Sequence, residues 1–124
     1  MSTLQSPKTI TFISRSTPYG SGRAKACLDM VLSTAAFEQK INLIFMDDGV
    51  WQLKSAQKPK SIEAKDLSAA LSALPLFDVN NIFAELESLS ARNLDPASLA
   101  IDVKACSAEA IAALIRESDV VYQL

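Results

Sequence analysis

Ile41-Asn42-Leu43-Ile44-Phe45-Met46, followed at once by Asp47-Asp48-Gly49, is the stretch that decides the fold. The run is apolar almost throughout, broken by a single Asn. A strand with one solvated face alternates apolar and polar residues. A short run without that alternation suits a strand covered on both faces, as in a parallel sheet flanked by helices. Asp-Asp-Gly is a turn signal that holds the run to strand length.

Outward from this strand, the same grammar repeats. On the N-terminal side, Lys8 to Ser14 reads as a strand, with Ile10, Phe12 and Ile13 among Thr residues. Arg15 to Gly22 is a loop rich in turn residues. Ala24, Cys27, Leu28, Val31, Leu32, Ala35 and Ala36 then fall on one helical stripe, with Ser21 as its cap. On the C-terminal side, Val50, Trp51 and Leu53 form an apolar knot before the polar stretch Lys54 to Lys60. Ser61 reads as the cap of a helix carrying Leu67, Ala70, Leu71 and Leu74, stopped by Pro75.

Val79 to Ala84 reads as a strand diluted by Asn80 and Asn81. Glu85 to Arg92 reads as a short helix with Leu86 and Leu89 inward and Asn93 as a left-handed stop. Asp95-Pro96 is a turn and Leu99 to Val103 a strand. Ser107 caps a helix with Ala108, Ile111, Ala112 and Ile115 on one face, and Val120 to Leu124 is a last strand. Strands alternating with helices through short connections predict an α/β fold: a single-domain three-layer sandwich over residues 8–124. Its sheet would hold about five mostly parallel strands, with helices on both faces. Residues 1–7 are polar and read as a flexible lead-in. In such a fold the functional crevice lies beyond the carboxyl ends of the strands. Four segments would meet there: Arg15 to Ser21, Asp47 to Trp51, Ala84-Glu85 and Lys104 to Ser107.

Composition narrows the chemistry. The chain has 124 residues, 49% of them hydrophobic, and a net charge of −2, which fits one domain with a real core and gives no basic footprint for nucleic acid. No run approaches the roughly 18 apolar residues of a membrane span, and Met1 to Pro7 lacks the core of a signal peptide, so a cytoplasmic location is expected. Cys27 and Cys106 do not make a disulfide framework and should be thiols. There is no histidine, which removes Ser-His-Asp and Cys-His catalysis and most transition-metal sites. No cofactor is expected.

The candidate site residues are Arg15, Tyr19, Asp47, Asp48, Val50, Trp51 and Leu53, with Cys106 as a candidate nucleophile. The Asp47-Asp48 pair suggests a phosphoacceptor or magnesium site, but it follows the second strand and no Lys follows the last one, so a turn is the better reading. Tyr19-Gly20-Ser21-Gly22 precedes a helix without the spacing of a phosphate loop, and supports at most a small-anion module. Cys27 lies in the apolar stripe and reads as a buried hydrophobe. Cys106 stands at a helix start beside Lys104, a setting expected to lower a thiol pKa. Trp51 follows a turn at the functional edge with Val50 and Leu53 adjacent, and fits the core and an interface equally well.

Three stretches resemble the TusC/DsrF branch of the DsrE/DsrF-like sulfur-relay family. They are Phe12 to Gly20, Ala26-Cys27-Leu28-Asp29, and, most specifically, Asp47-Asp48-Gly49-Val50-Trp51-Gln52-Leu53. Leu76 to Val79, Ala91 to Leu94 and Asp119 to Tyr122 agree more loosely. The resemblance implies a non-catalytic subunit that meets TusB- and TusD-like partners in a dimer of heterotrimers, or self-associates in isolation. That assembly passes persulfide sulfur from a carrier protein toward 2-thiolation of the tRNA wobble uridine. A DsrEFH-like role in sulfur oxidation, or sulfur transfer by Cys106, are the alternatives. The relay cysteine of the family's carrier subunits lies at the end of the third strand. The matching stretch here, Ile82-Phe83-Ala84-Glu85-Leu86, has no thiol.

Overall fold

The computed structural model describes residues 8–18, 22–54 and 62–124, with backbone alone for 62–66. Its strands are β1 (Thr9–Ser14), β2 (Lys40–Phe45), β3 (Ile82–Glu85), β4 (Lys104–Cys106) and β5 (Val120–Gln123). The helices are α1 (Arg23–Ala35), α2 (Ile62–Ala73), α3 (Leu86–Ala91) and α4 (Ala108–Arg116). Short 3-10 segments span Asp47–Leu53, Leu74–Phe77 and Pro96–Ser98. The sheet has five strands in the order β4-β3-β2-β1-β5, and every ladder is parallel.

This order sorts the helices. From β1 to β4 the chain steps along the sheet in one direction, so right-handed crossovers leave α1, α2 and α3 on one face. From β4 it returns across the sheet to β5, on the far side of β1, and α4 crosses on the opposite face. Packing follows the division. Phe12, Leu43 and Phe45 join Leu28, Val31, Leu71, Leu74 and Leu89 in the larger core. The next residue in register on β1 and β2 points the other way: Ile13 and Ile44 pack on Ile111 of α4. The nearly continuous apolar run of β2 is therefore buried on both faces, as its sequence predicts. Beneath α4, Asn42 donates to the Thr11 hydroxyl, which is hydrogen-bonded to Ser118, whose own hydroxyl reaches Leu114 O.

Several local expectations are corrected. The strand expected at Leu99 to Val103 forms instead at Lys104–Cys106. Leu99, Ile101 and Val103 pack at the margin of the larger core, and Leu99 bridges Lys54 while Ala100 N–H reaches Leu53 O at 2.8 Å. The apolar residues thus lie ahead of the point where β3 offers a ladder. Val79 is buried but outside β3, which begins at Ile82. On α3 it is Ser88, with Leu89, that turns inward, while Leu86 is exposed. Ala36 and Ala108 are exposed rather than on buried stripes. Ser107 caps α4, accepting from Ala110 N–H at 3.2 Å, and Asn93 takes the left-handed conformation, φ 55°. The caps expected from Ser21 and Ser61, the lead-in of residues 1–7, and Tyr19 lie outside the described residues.

Candidate functional site

The strand register aligns Ser14 with Phe45, Phe45 with Ala84, and Glu85 with Cys106. The segments leaving these positions share one edge of the sheet, where charge and buried hydroxyls organise them. Arg15 leaves β1 and its guanidinium reaches Asp47 Oδ2, with Nε at 2.7 Å and Nη2 at 2.5 Å. The same guanidinium donates to Gln123 Oε1 at 3.2 Å, and Arg15 N–H donates to Leu124 O at 2.8 Å. One arginine thereby ties the ends of β1, β2 and β5 together.

Asp47 stands at φ 51°, a left-handed conformation rare for a residue with a Cβ. Its N–H donates to Ser88 Oγ at 2.9 Å, and the Ser88 hydroxyl donates to Glu85 Oε1 at 2.5 Å. Asp48 pairs with Arg92, whose Nη2 lies 3.0 Å from Oδ1 and whose Nη1 donates to Ser88 O at 3.1 Å. The two aspartates therefore belong to two arginines, one on each side, and not to the backbone of a simple turn. Among the described residues no cluster of His, Cys, Asp or Glu is arranged to hold a metal.

Below this layer, Gln52 is 2% exposed and donates to Ser14 Oγ at 2.8 Å and Ser16 O at 3.1 Å. Gly49 lets the segment close: a Cβ there would stand 2.0 Å from Ser14 O. Val50 and Leu53 are fully buried in the larger core, which corrects their expected place on an interface. A 3-10 turn carries both inward and leaves Trp51 half-buried between them. The Lys54 ammonium stands 6.0 Å from the Trp51 ring centroid.

The thiols differ from each other. Cys27 is buried on α1, and burial pushes its pKa from an ordinary 9.0 to about 11, with a Ser14 hydrogen bond acting weakly the other way. Cys106, at the end of β4, is partly exposed. Its pKa is raised, first by desolvation and then by Glu85 and Glu87. This reverses the lowering expected from the α4 terminus and Lys104. Lys104 instead places its ammonium 5.6 Å from the Phe83 ring centroid, and the charges facing Cys106 are carboxylates.

Of the candidates read from sequence, Arg15, Asp47 and Asp48 converge as charged groups and Trp51 borders them. Ser88, Arg92, Gln52 and Gln123 complete the edge without having been singled out. The offset of Glu85, Ser88 and Arg92, at i, i+3 and i+7, was a sign for two of them, and Gln52 and Arg92 also fall in stretches that carry the family resemblance.

The model of the DsrE/DsrF-like family matches residues 8–123. A TusC homolog of Pseudomonas aeruginosa is 34% identical over 117 residues, covering 94% of this chain and 98% of that protein. Protein TusC of Klebsiella pneumoniae is 35% identical over 117 residues, with the same coverage of 94% and 98%. Among solved structures, the ychN protein of E. coli superimposes with a TM-score of 0.82 at 19% identity, over 94% of this chain and 99% of that one. That likeness concerns the fold.

Proposed function

The chain belongs to the DsrE/DsrF-like family, and from that premise we propose that it is a non-catalytic subunit of a sulfur-relay complex. The complex would be TusBCD-like, with TusB- and TusD-like partners in a dimer of heterotrimers, and would support persulfide transfer toward 2-thiolation of the tRNA wobble uridine. The similarity to proteins named TusC supports the subunit's place. The observation that carries the non-catalytic reading is the end of β3: Glu85 stands there, its carboxylate bound to Ser88. In sulfur relay, a thiolate attacks the outer sulfur of a persulfide, the S–S bond breaks, and the donor leaves as a thiolate. A carboxylate cannot accept that sulfur and repels the anion that would attack.

Neither thiol of this chain takes over the task. Cys27 is buried, and desolvation, with Glu85 and Glu87 after it, raises the pKa of Cys106 and so disfavours its thiolate. The chain's part is then to present Arg15, Asp47, Asp48 and Trp51 to a partner that holds the relay cysteine. The ion pairs fix the backbone there, so a partner meets a formed surface.

The test is reconstitution with separately purified TusB- and TusD-like proteins, followed with labelled sulfur. The wild-type chain should assemble with them, and transfer should proceed undiminished with Cys106→Ser in its place. Loss of transfer in a folded, assembled Cys106→Ser protein overturns the non-catalytic reading in favour of a sulfurtransferase using Cys106. Transfer that reaches a sulfur-oxidation partner and never tRNA points to a DsrEFH-like pathway.

A further inference from the structure

At the opposite end of the sheet, large apolar side chains stand in solvent. Leu76 is 83% exposed and Phe77 49% exposed. They occupy a 3-10 turn held at both ends: Leu74 and Val79 are buried, Val79 N–H donates to Leu74 O at 3.0 Å, and Asp78 closes the turn at φ 61°. The turn cannot fold these side chains inward without releasing its anchors. Phe37, 75% exposed, follows α1 at the same end, and α1 packs on this turn.

Beside the knob lies a cleft of about 410 Å³, lined by Pro75, Val79, Asn80, Ile82, Leu99, Ala100, Ile101 and Asp102. Its lining is about half apolar, from Pro75, Val79, Ile82, Leu99 and Ile101, with Asn80 and the Asp102 carboxylate among its polar groups. Asp102 and Asp78 are both exposed, and neither has an ion pair among the described residues. Lys104, the cation nearest in sequence, is engaged over Phe83. An exposed apolar knob beside a cleft of mixed lining fits a protein contact, with the polar groups setting the partner.

We propose that this knob and cleft form a second docking surface, occupied by a different subunit that inserts an apolar side chain flanked by Lys or Arg. Charge selects this occupant over a second copy of the chain. A two-fold exchange would seat Leu76 and Phe77 of one copy in the cleft of the other, and would bring Asp78 against Asp102. Like charges brought together at an interface oppose it. A basic partner instead meets two carboxylates that have no ion pair among the described residues. The proposal rests on the relay-complex reading and deepens it: with one surface at each end of its strands, the chain would stand between two partners.

The experiment measures binding of the TusB-like and TusD-like proteins, each titrated separately by calorimetry into three forms of the chain. These are wild type, the double variant Leu76→Asn, Phe77→Asn, and Asp102→Lys. All three positions are exposed, and unchanged thermal melts verify the folds. The double variant should lose at least about tenfold in affinity for one partner and little for the other. Asp102→Lys should weaken binding of that same partner, and its remaining binding should respond less to salt. Wild-type affinity of both variants for both partners overturns the docking surface while leaving the complex intact. A dimer of the isolated chain that the double variant abolishes also overturns it, because the occupant is then a second copy. Failure of the wild-type chain to bind either partner removes the complex reading and this proposal together.

Discussion

Cys27 shows how one buried atom sets a pH response. Its thiol lies 1% exposed in the larger core, with its pKa pushed up to about 11. Below the ordinary value of 9.0 the folded and unfolded chains both hold the proton, and the thiol's contribution to stability is complete. As pH rises from there toward 11, the unfolded chain releases the proton first, so stability falls across that window, by roughly 2–3 kcal/mol in total. Cys27→Ala removes this loss. Chemical denaturation at pH 8 and pH 11 should show a smaller decline for the variant than for wild type; parallel declines would mean that Cys27 is not held neutral by the fold. The burial of this residue was legible from its place on the α1 stripe. The chemistry of Cys106 was not, because the glutamates that oppose its ionisation come from β3 and α3, and no spacing along the chain reveals a cross-strand neighbour.

Among the elements, the 3-10 turn Asp47–Leu53 links the most functions. It sends Val50 and Leu53 into the core, holds Gln52 against Ser14, and presents Asp47 and Asp48 to their arginines. All of this depends on the close approach at Gly49. Gly49→Ala forces a Cβ into the Ser14 carbonyl, and the backbone of β1 or of the turn must move. A destabilisation of about 1–3 kcal/mol is expected from overpacking, together with loss of the ordered edge. Urea unfolding measures the first, and weaker binding of the relay partners reports the second. A variant as stable as wild type, with partner binding intact, would mean the turn tolerates the shift. The sequence marks Asp47-Asp48-Gly49 as a turn on local chemistry alone. It does not mark the inward course of Val50 and Leu53, since an apolar knot beside a turn reads the same whether it meets its own core or another protein. The same ambiguity displaced β4. Leu99, Ile101 and Val103 have the composition of a strand and are half-buried like one, but pairing requires backbone from β3, which aligns only with the residues that follow.

On the scale of the molecule, the alternation of strands and helices gave the parallel sheet, and the crossover rule gave both covered faces. The assignment of three helices to one face and α4 alone to the other needed the strand order. The parallel direction of the strands also separates their two ends, and the segment that carries Trp51 leaves the carboxyl end of β2. Trp51→Ala should weaken assembly by at least roughly 2 kcal/mol, about thirtyfold, as for an anchor at an interface. The isolated chain should lose less than the roughly 3–5 kcal/mol of a fully buried aromatic. Sedimentation of the mixed subunits and a melt of the isolated variant separate the two; unfolding with assembly otherwise intact would place Trp51 in the core. The position of β5 has a consequence for the order in which the molecule is completed. β1 is flanked by β5, and Thr9 N–H meets the Asp119 carboxylate 110 positions away. Closing that ladder costs more chain entropy than closing any of its neighbours, so it forms late in folding. Until it does, β1 exposes a bare flank of backbone donors and acceptors, open to the strands of other nascent chains. Arg15, which contacts β5 and the segment after β2 at once, can make both contacts only when that interval is over.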